Sequence, residues 1–341
     1  MLPDWFWSIL GASPAGEGAA ISLGDARYVV RGGIPRHVSV LSDTQSQTSR
    51  AFGFKWGKRD TFESDSSRAR MRQWLVERYG PVERFGWNAA AAVPPTILDA
   101  GCGAAMSALE YFSPCLKSIR YFGVDVSGAV DVARDRFAER GIEAGFLQAD
   151  LAQIPRPAAG FDAVFSEGVL HHTDSTRASV LALARLLKPG GLFLFYVYRK
   201  KGPLREFADD HIRARLREMP PERAWEAMKP LTALGVELGR LGARIRVEQP
   251  IELLEIPAGE YDLQRFFYWH VAKAFFRPEM TFDEMNHINF DWYAPANAHR
   301  HTPEEVREWC AAAGLEIERE VVEEAGITIV ARRGSHAGAA R

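Results

Sequence analysis

Between residues 95 and 200, short apolar runs alternate with stretches of helical spacing. "TILDA" (96–100) reads as a buried strand, and "AAMSALEYF" (104–112) carries apolar residues one helical turn apart. "YFGVDV" (121–126) is a second strand, followed by Ser127 as N-cap and a helix ending at Gly141. "AGFLQAD" (144–150) and "FDAVFSEG" (161–168) are the third and fourth strands. The helix in "STRASVLALARLLK" (175–188) stops at Pro189-Gly190-Gly191, which leads into "LFLFYVYR" (192–199), a nearly uninterrupted apolar strand. Apolar runs without alternation, separated by helices, predict a parallel sheet covered on both faces, an α/β fold.

Outside that stretch the rhythm changes. Residues 200–301 are rich in Trp, Phe, Tyr, His and Arg and show no strand–helix alternation. "TPEEVREWCAAAG" (302–314) then predicts a helix with Thr302 as cap, Pro303 in the first position, Glu305 closing a capping box and Gly314 ending it. "LEIEREVVEE" and "ITIVARR", joined by Ala325-Gly326, read as a closing antiparallel hairpin. Toward the N-terminus, "DARYVVRGGIPRHV" (25–38) is a hairpin turning at Gly32-Gly33. "QTSRAFGFKWGKRDTF" (47–62) is a helical lid, and the alanine-rich "WNAAAAVPPT" (87–96) a connection. The expected organisation is an N-terminal hairpin and lid (1–90), a core (91–200), a cap insertion (201–301) and completion of the core by a helix and hairpin (302–334).

Composition narrows the function classes. The chain has 341 residues, 47% hydrophobic and 25% charged, with a formal net charge of −2, so nothing in the balance advertises nucleic acid or an anionic membrane. Three cysteines, Cys102, Cys115 and Cys310, are too few and too scattered for a disulfide framework, which makes a reduced cytoplasmic setting the expectation. The aromatic N-terminus, with Asp4 where a secretory signal carries Lys or Arg, reads as a packed arm rather than a signal or membrane span.

The chemistry begins at "DAGCGAAM" (99–106). A strand entering a Gly-rich turn and then a helix turns backbone N–H groups toward a ligand. A dinucleotide fingerprint would need a third glycine where Met106 stands, and Asp99 would repel a pyrophosphate. An acid there suits a cationic or polyol ligand.

The order Asp99-Ala100-Gly101-Cys102-Gly103, with Ala105 in place of a last glycine, resembles the first motif of class I S-adenosylmethionine-dependent methyltransferases. Further segments match in sequence: "GVDVS", "QADL", "FDAVFSEGVLHH" and "LARLLKPGGLFLF". The resemblance covers residues 95 to 200 and implies a Rossmann-like, seven-stranded sheet with a reversed last strand. It implies S-adenosyl-L-methionine as cofactor and a cofactor set of Asp99, Gly101, Cys102, Gly103, Asp125, Val126, Asp150, Leu151, Ser166 and Glu167. Within that set Asp125 would grip the ribose hydroxyls, Asp150 the adenine amino group, and the backbone of Leu151 the adenine ring. Cys102 reads as a small filler rather than a nucleophile. Residues 25–38 resemble the zinc-ribbon leader of some methyltransferases of this type, without cysteines to hold zinc. In related enzymes an aromatic segment like 47–62 folds over the cofactor; here Phe54 or Trp56 either meets the sulfonium by cation–π attraction or simply packs on the sheet.

On the acceptor side a hydroxyl substrate requires a base. His171 and His172 follow the fourth strand, at the sheet edge where such folds bind ligands. A second cluster, 261–302, puts Phe266, Trp269, His270, Lys273 and Ala274 on neighbouring faces of one helix, then Asn289, Asp291, Trp292 and Tyr293 in a loop. It is either a substrate lid or a plug over the sheet. The candidate catalytic residues are therefore His171, His172, His270, Asp291 and Tyr293. The spacing of His287, His299 and His301 with Asp291 matches no familiar zinc or iron set, so no metal is expected. Basic residues 199–217 are interleaved with acids and read as a solvated face.

The expected activity is methyl transfer to a small molecule, on a hydroxyl of a sugar or natural-product intermediate. N- or C-methylation, or a silent cofactor-binding protein, are the alternatives. A nucleic-acid amine methyltransferase would carry Asn/Asp-Pro-Pro-aromatic where this chain has Ser166-Glu167-Gly168-Val169. The expected partner is thus a small molecule, without nucleic acid or membrane span, and the oligomeric state is left open.

Overall fold

A computed structural model of the protein describes residues 2–38, 41–58, 64–87, 92–157 and 160–334. The N-terminal part comprises α1 (Asp4–Leu10), β1 (Ala20–Leu23), β2 (Ala26–Arg31), β3 (Ile34–His37), α2 (Asp43–Gly57) and α3 (Asp65–Tyr79). The alternating core follows as β4 (Thr96–Ala100), α4 (Met106–Tyr111), β5 (Arg120–Asp125), α5 (Ala129–Glu139), β6 (Ala144–Gln148), β7 (Phe161–Glu167), α6 (Thr176–Ala184) and β8 (Leu187–Tyr198). Then come α7 (Pro203–Leu216), α8 (Pro221–Leu241), β9 (Arg244–Val247), β10 (Gly259–Asp262), α9 (Leu263–His270) and α10 (Phe282–Tyr293). The chain closes through α11 (Pro303–Ala312), β11 (Leu315–Val322) and β12 (Gly326–Arg333).

Ten strands form one sheet in the order β1-β2-β3-β6-β5-β4-β7-β8-β12-β11. Strands β6, β5, β4, β7 and β8 are mutually parallel, and β12 lies antiparallel between β8 and β11. The expected seven strands are thus exceeded. β3 runs parallel to β6 through the pair Arg36 and Gln148, so the N-terminal meander β1–β3 prolongs the sheet instead of standing apart as a leader. The Arg36 guanidinium ties this edge down, donating to Gln148 at 2.6 Å and to both oxygens of Asp131 on α5.

Because successive strand residues face opposite ways, the apolar runs feed two cores. Leu192, Leu194, Tyr196 and Tyr198 of β8 join a core covered by α3, α4 and α5, while Phe193, Phe195 and Val197 join another under α1, α6 and α11. Each fully buried Phe or Leu contributes about 1.5–3 kcal/mol, which explains why these strands lack polar alternation.

Several local expectations are corrected. Residues 289–293 are the last turn of helix α10, not a loop; Thr281 and Glu284 form the capping box that starts it. The helix expected across 266–274 ends at His270, leaving Lys273 and Ala274 in the following segment. Gly128, not Ser127, caps α5, although the Ser127 hydroxyl accepts from Ala129 N–H at 3.2 Å. α6 ends at Ala184, and Lys188 to Gly191 already run within β8, where the register against β7 shifts between the pairs Phe161–Leu187 and Ala163–Leu192. The helix at 303–312 and the closing hairpin form as expected. Residues 59–62 of the lid segment, 88–91 of the alanine-rich connection and the tail 335–341 lie outside the described residues. Among the described residues no helix is long and apolar enough to cross a membrane.

Candidate functional site

The C-terminal ends of β4, β5 and β6 converge on one cavity of about 560 Å³, roofed by α2 and the 200–301 insertion. Its lining includes Trp56, Asp99, Gly101, Cys102, Gly103, Asp125, Val126, Asp150, Leu151, Glu167, His172 and Asp291. Ser166, His171, His270 and Tyr293 are absent from that lining.

The turn after β4 is built by two glycines. Gly101 (φ +83°) and Gly103 (φ +50°) are left-handed, a conformation that costs an L-residue about 1–2 kcal/mol. A Cβ on Gly101 would lie 2.2 Å from Val169 Cγ1, and one on Gly103 would lie 2.8 Å from Trp56 Nε1. Here the missing side chains make room for this chain's own Val169 and Trp56. Ala105, the position of the last motif glycine, is also left-handed (φ +61°) at the start of α4. Cys102 is buried and its thiol is pushed well up, by burial first and the neighbouring acids second, which suits a filler.

Three carboxylates sit at the ends of neighbouring strands. Asp99 accepts from the Tyr121 hydroxyl at 2.5 Å; burial lifts it to about 7, against the pull of that bond, and Asp125 and Glu167 add to the rise. Asp125 accepts from Gly103 N–H through Oδ2 and from the N–H and hydroxyl of Ser127 through Oδ1, all at 2.7–2.8 Å. Burial raises it nonetheless. Three donors on about four lone-pair sites leave it acceptor capacity toward the cavity. Asp150 spends one oxygen capping Ala152 N–H at 2.7 Å.

Glu167 ends β7 held by Arg78 and the Tyr79 hydroxyl of α3, and burial still raises it above its ordinary value. Ser166 instead donates to the Ala100 carbonyl at 2.8 Å, joining β7 to β4. Trp56 carries the Lys55 ammonium 3.9 Å from its ring, so its cation–π partner in this structure is Lys55. Phe54 packs against Trp225 and Phe290, away from the cavity.

Of the acid–base candidates, His172 and Asp291 reach the cavity. His172 Nδ1 lies 2.6 Å from the Asn297 carbonyl, an acceptor only, so Nδ1 carries the proton and Nε2 the lone pair. Burial depresses the ring to about 4, so it is neutral at pH 7. Burial would lift Asp291, but Lys55, then Lys273 and His172, outweigh it and hold it near 2; Lys55 pairs with it directly. His171 is stacked on Tyr198 with centroids 3.6 Å apart and is kept neutral by burial. His270 packs between Phe266 and Tyr261. Tyr293 donates to Asp209 and accepts from Lys273 N–H, each at 2.7 Å.

Sequence reasoning named Lys273 and Trp292 in a lid or plug but missed Tyr198, Lys201 and Arg205 on the other flank. Tyr198, Lys201, Arg205, Lys273 and Trp292 line the same cavity. Asp209, fully buried on α7, accepts from Arg205 Nε (2.8 Å), Tyr293 hydroxyl (2.7 Å) and Trp292 Nε1 (2.7 Å), fixing this wall. The i,i+4 pair Arg205 and Asp209 was visible in the basic stretch 199–217; its burial was not. Among the described residues no group of three or more His, Cys, Asp or Glu is arranged to hold a metal ion.

An independent comparison bears on this arrangement. Residues 98–195 match the family model described as a methyltransferase domain. Residues 98–195 therefore carry a methyltransferase domain. An uncharacterized methyltransferase of Mycobacterium bovis is 38% identical over 97 residues, covering 28% of this chain and 46% of that protein. The malonyl-[acyl-carrier protein] O-methyltransferase of Serratia marcescens is 33% identical over 141 residues, 40% of this chain and 49% of the other. The chain thus spans less than half the length of either curated relative. A solved structure, magnesium protoporphyrin IX methyltransferase from Synechocystis with bound S-adenosylhomocysteine, aligns over 86% of this chain and 100% of its own at a TM-score of 0.45 and 15% identity.

Proposed function

We propose that the protein transfers a methyl group from S-adenosylmethionine to an oxygen of a small organic acceptor held under the 200–301 insertion. The observation that carries this reading is the row Asp99, Asp125 and Asp150 at the ends of three adjacent parallel strands on one cavity, beside the left-handed turn of Gly101 and Gly103 that lines it. The residues fit such a cofactor, since Asp125 keeps a free acceptor site and Asp150 has one uncommitted oxygen.

When bound, the cofactor supplies a methyl group made electrophilic by its sulfonium. In this reading Asp125 holds the ribose hydroxyls, Asp150 and Leu151 the adenine, and the turn 101–103 the amino-acid part. Glu167, held in place by Arg78 and Tyr79, borders the acceptor side. α2 and α10, joined by Lys55 and Asp291, exclude water from the reacting atoms. A hydroxyl acceptor would give its proton to His172, the one histidine of the five catalytic candidates that lines this cavity, whose Nε2 carries the lone pair. His270 and Tyr293 drop to packing roles. The O-methyltransferase name of the Serratia relative supports oxygen over nitrogen or carbon.

Calorimetry with S-adenosylhomocysteine tests the reading. The wild-type chain should bind it and Asp125→Ala should lose at least about tenfold in affinity, since a charge-assisted hydrogen bond disappears. Equal binding of NADH by the wild type, or undiminished affinity in the variant, would reverse it.

A further inference from the structure

We infer that the cavity contains a subsite for an organic carboxylate carried by the methyl acceptor, formed by Lys273 and Lys201 beside the indole of Trp292. The proposal rests on the methyl-transfer reading above and gives its acceptor a chemical class.

Three cations that line the cavity lie close to one ring: Lys273 Nζ at 4.6 Å, Arg205 Cζ at 5.5 Å and Lys201 Nζ at 5.7 Å from Trp292. Arg205 is neutralised by Asp209, whose oxygens are already taken by Arg205, Tyr293 and Trp292. Glu206, the other nearby acid, receives Arg300. Lys55 and Asp291 cancel each other. Lys201 donates to two backbone carbonyls, Arg199 at 2.7 Å and Ala325 at 3.2 Å, and has no carboxylate partner among the described residues. Lys273, only 8% exposed, has neither hydrogen bond nor ion pair at its ammonium among the described residues.

Buried ammonium groups without a directly paired carboxylate are expensive and therefore rare. Here two of them share a cavity wall, and one opposing anion from a ligand would relieve both. Tyr198, Tyr268, Trp269, Phe275 and Trp292 make the surrounding wall aromatic, which calls for an apolar body behind the charged group. One carboxylate balances this site better than a phosphate dianion, because Lys201 has a single N–H left to give.

The groups facing each ammonium set its pH response. Lys273 is lowered to about 8 by burial, with Asp291 on α10 and Asp209 on α7 opposing and Arg205 on α7 and Lys55 on α2 assisting. Lys201 is lowered to about 7 by burial, then Arg205, against Glu206 and Asp209, with Arg199 adding to the fall. Carboxylate binding should therefore weaken as pH rises through 7 to 8, where the two lysines lose their charge.

The test uses the full chain saturated with S-adenosylhomocysteine, titrated calorimetrically with phenylacetate and separately with 2-phenylethanol, its neutral counterpart of similar shape. At about pH 6.5, where both lysines carry charge, phenylacetate should bind at least about tenfold tighter, and Lys273→Met should erase most of that preference. Equal affinity for the two probes, binding of neither, or a preference that survives Lys273→Met overturns the subsite. The affinity for S-adenosylhomocysteine should not change in the variant. If it falls together with that for phenylacetate, the ammonium serves the cofactor's own carboxylate and the proposal fails. Failure of the wild type to bind S-adenosylhomocysteine at all would instead remove the methyl-transfer reading, so the two failures are separable. Lys273→Met should melt no lower than the wild type, because a buried charge is gone, and phenylacetate should raise the melting temperature of the wild type alone. Lys201→Met, read the same way, is the second variant should the first misfold.

Discussion

Gly101→Ala isolates what the turn after β4 requires. Two costs are added by one methyl group. The left-handed backbone (φ +83°) penalises any Cβ by about 1–2 kcal/mol. The new atom would also sit 2.2, 2.6 and 2.8 Å from Cγ1, Cγ2 and Cβ of Val169, overpacking of the kind that costs about 1–3 kcal/mol. The expected loss is about 2–5 kcal/mol in total. Val169→Ala by itself removes two half-buried methyl groups and should cost about 0.5–1.5 kcal/mol. In the double variant the two shortest overlaps vanish while the 2.8 Å approach and the backbone penalty remain. The pair should therefore couple favourably by about 1–2 kcal/mol. Urea unfolding of the four proteins, compared at a common m value, measures this directly. A coupling below about 0.5 kcal/mol would refute the account, because the glycine would then be required for its backbone angle alone.

Two further outcomes follow from buried charge. Asp209→Asn leaves the Arg205 guanidinium uncompensated in the insertion and should cost about 3–5 kcal/mol in urea unfolding; pairing it with Arg205→Met should recover most of the loss, and no recovery would mean the pair is not the cause. Asp99 is raised from the ordinary 3.8 to about 7, so the folded state favours its protonated form: that contribution is complete below 3.8 and lost as pH rises through 7. Stability of Asp99→Asn relative to wild type should therefore improve between those limits, and a difference independent of pH would exclude Asp99 as the titrating group.

What could be read from the chain divides by how local its cause is. Asp99, Gly101, Gly103, Asp125 and Asp150 were legible because each sits where a strand meets its own turn, and strand, glycine and acid are consecutive in sequence. The hairpins at 25–38 and 315–333 were legible for the same reason. The helix reaching Tyr293 was missed because Asn289, Asp291 and the aromatics beside them imitate loop composition; the Thr281–Glu284 capping box was the signal that could have found it. Lys201 and Lys273 were invisible as a pair. They lie on segments separated by α7, α8 and α9, and their shared surroundings depend on Trp292 packing onto Tyr198, with centroids 4.2 Å apart. His171 illustrates the converse: its place after the fourth strand suggested an acid–base role, but it is fully buried and stacked on Tyr198, outside the cavity lining.

The sheet order has an outcome for anyone dissecting this chain. Residues 98–195 carry the inherited resemblance, yet the strand on one border of that segment leans on β3 from the N-terminus and the one on the other leans on β12 from the C-terminus. Trimming to the recognisable portion would bare two flanks of unpaired amides and carbonyls and uncover Phe122, against which Phe6 stacks at 4.8 Å. Resemblance and autonomy have different borders in this molecule: the piece that matches the family model is a middle, and strands on either side of it complete its sheet.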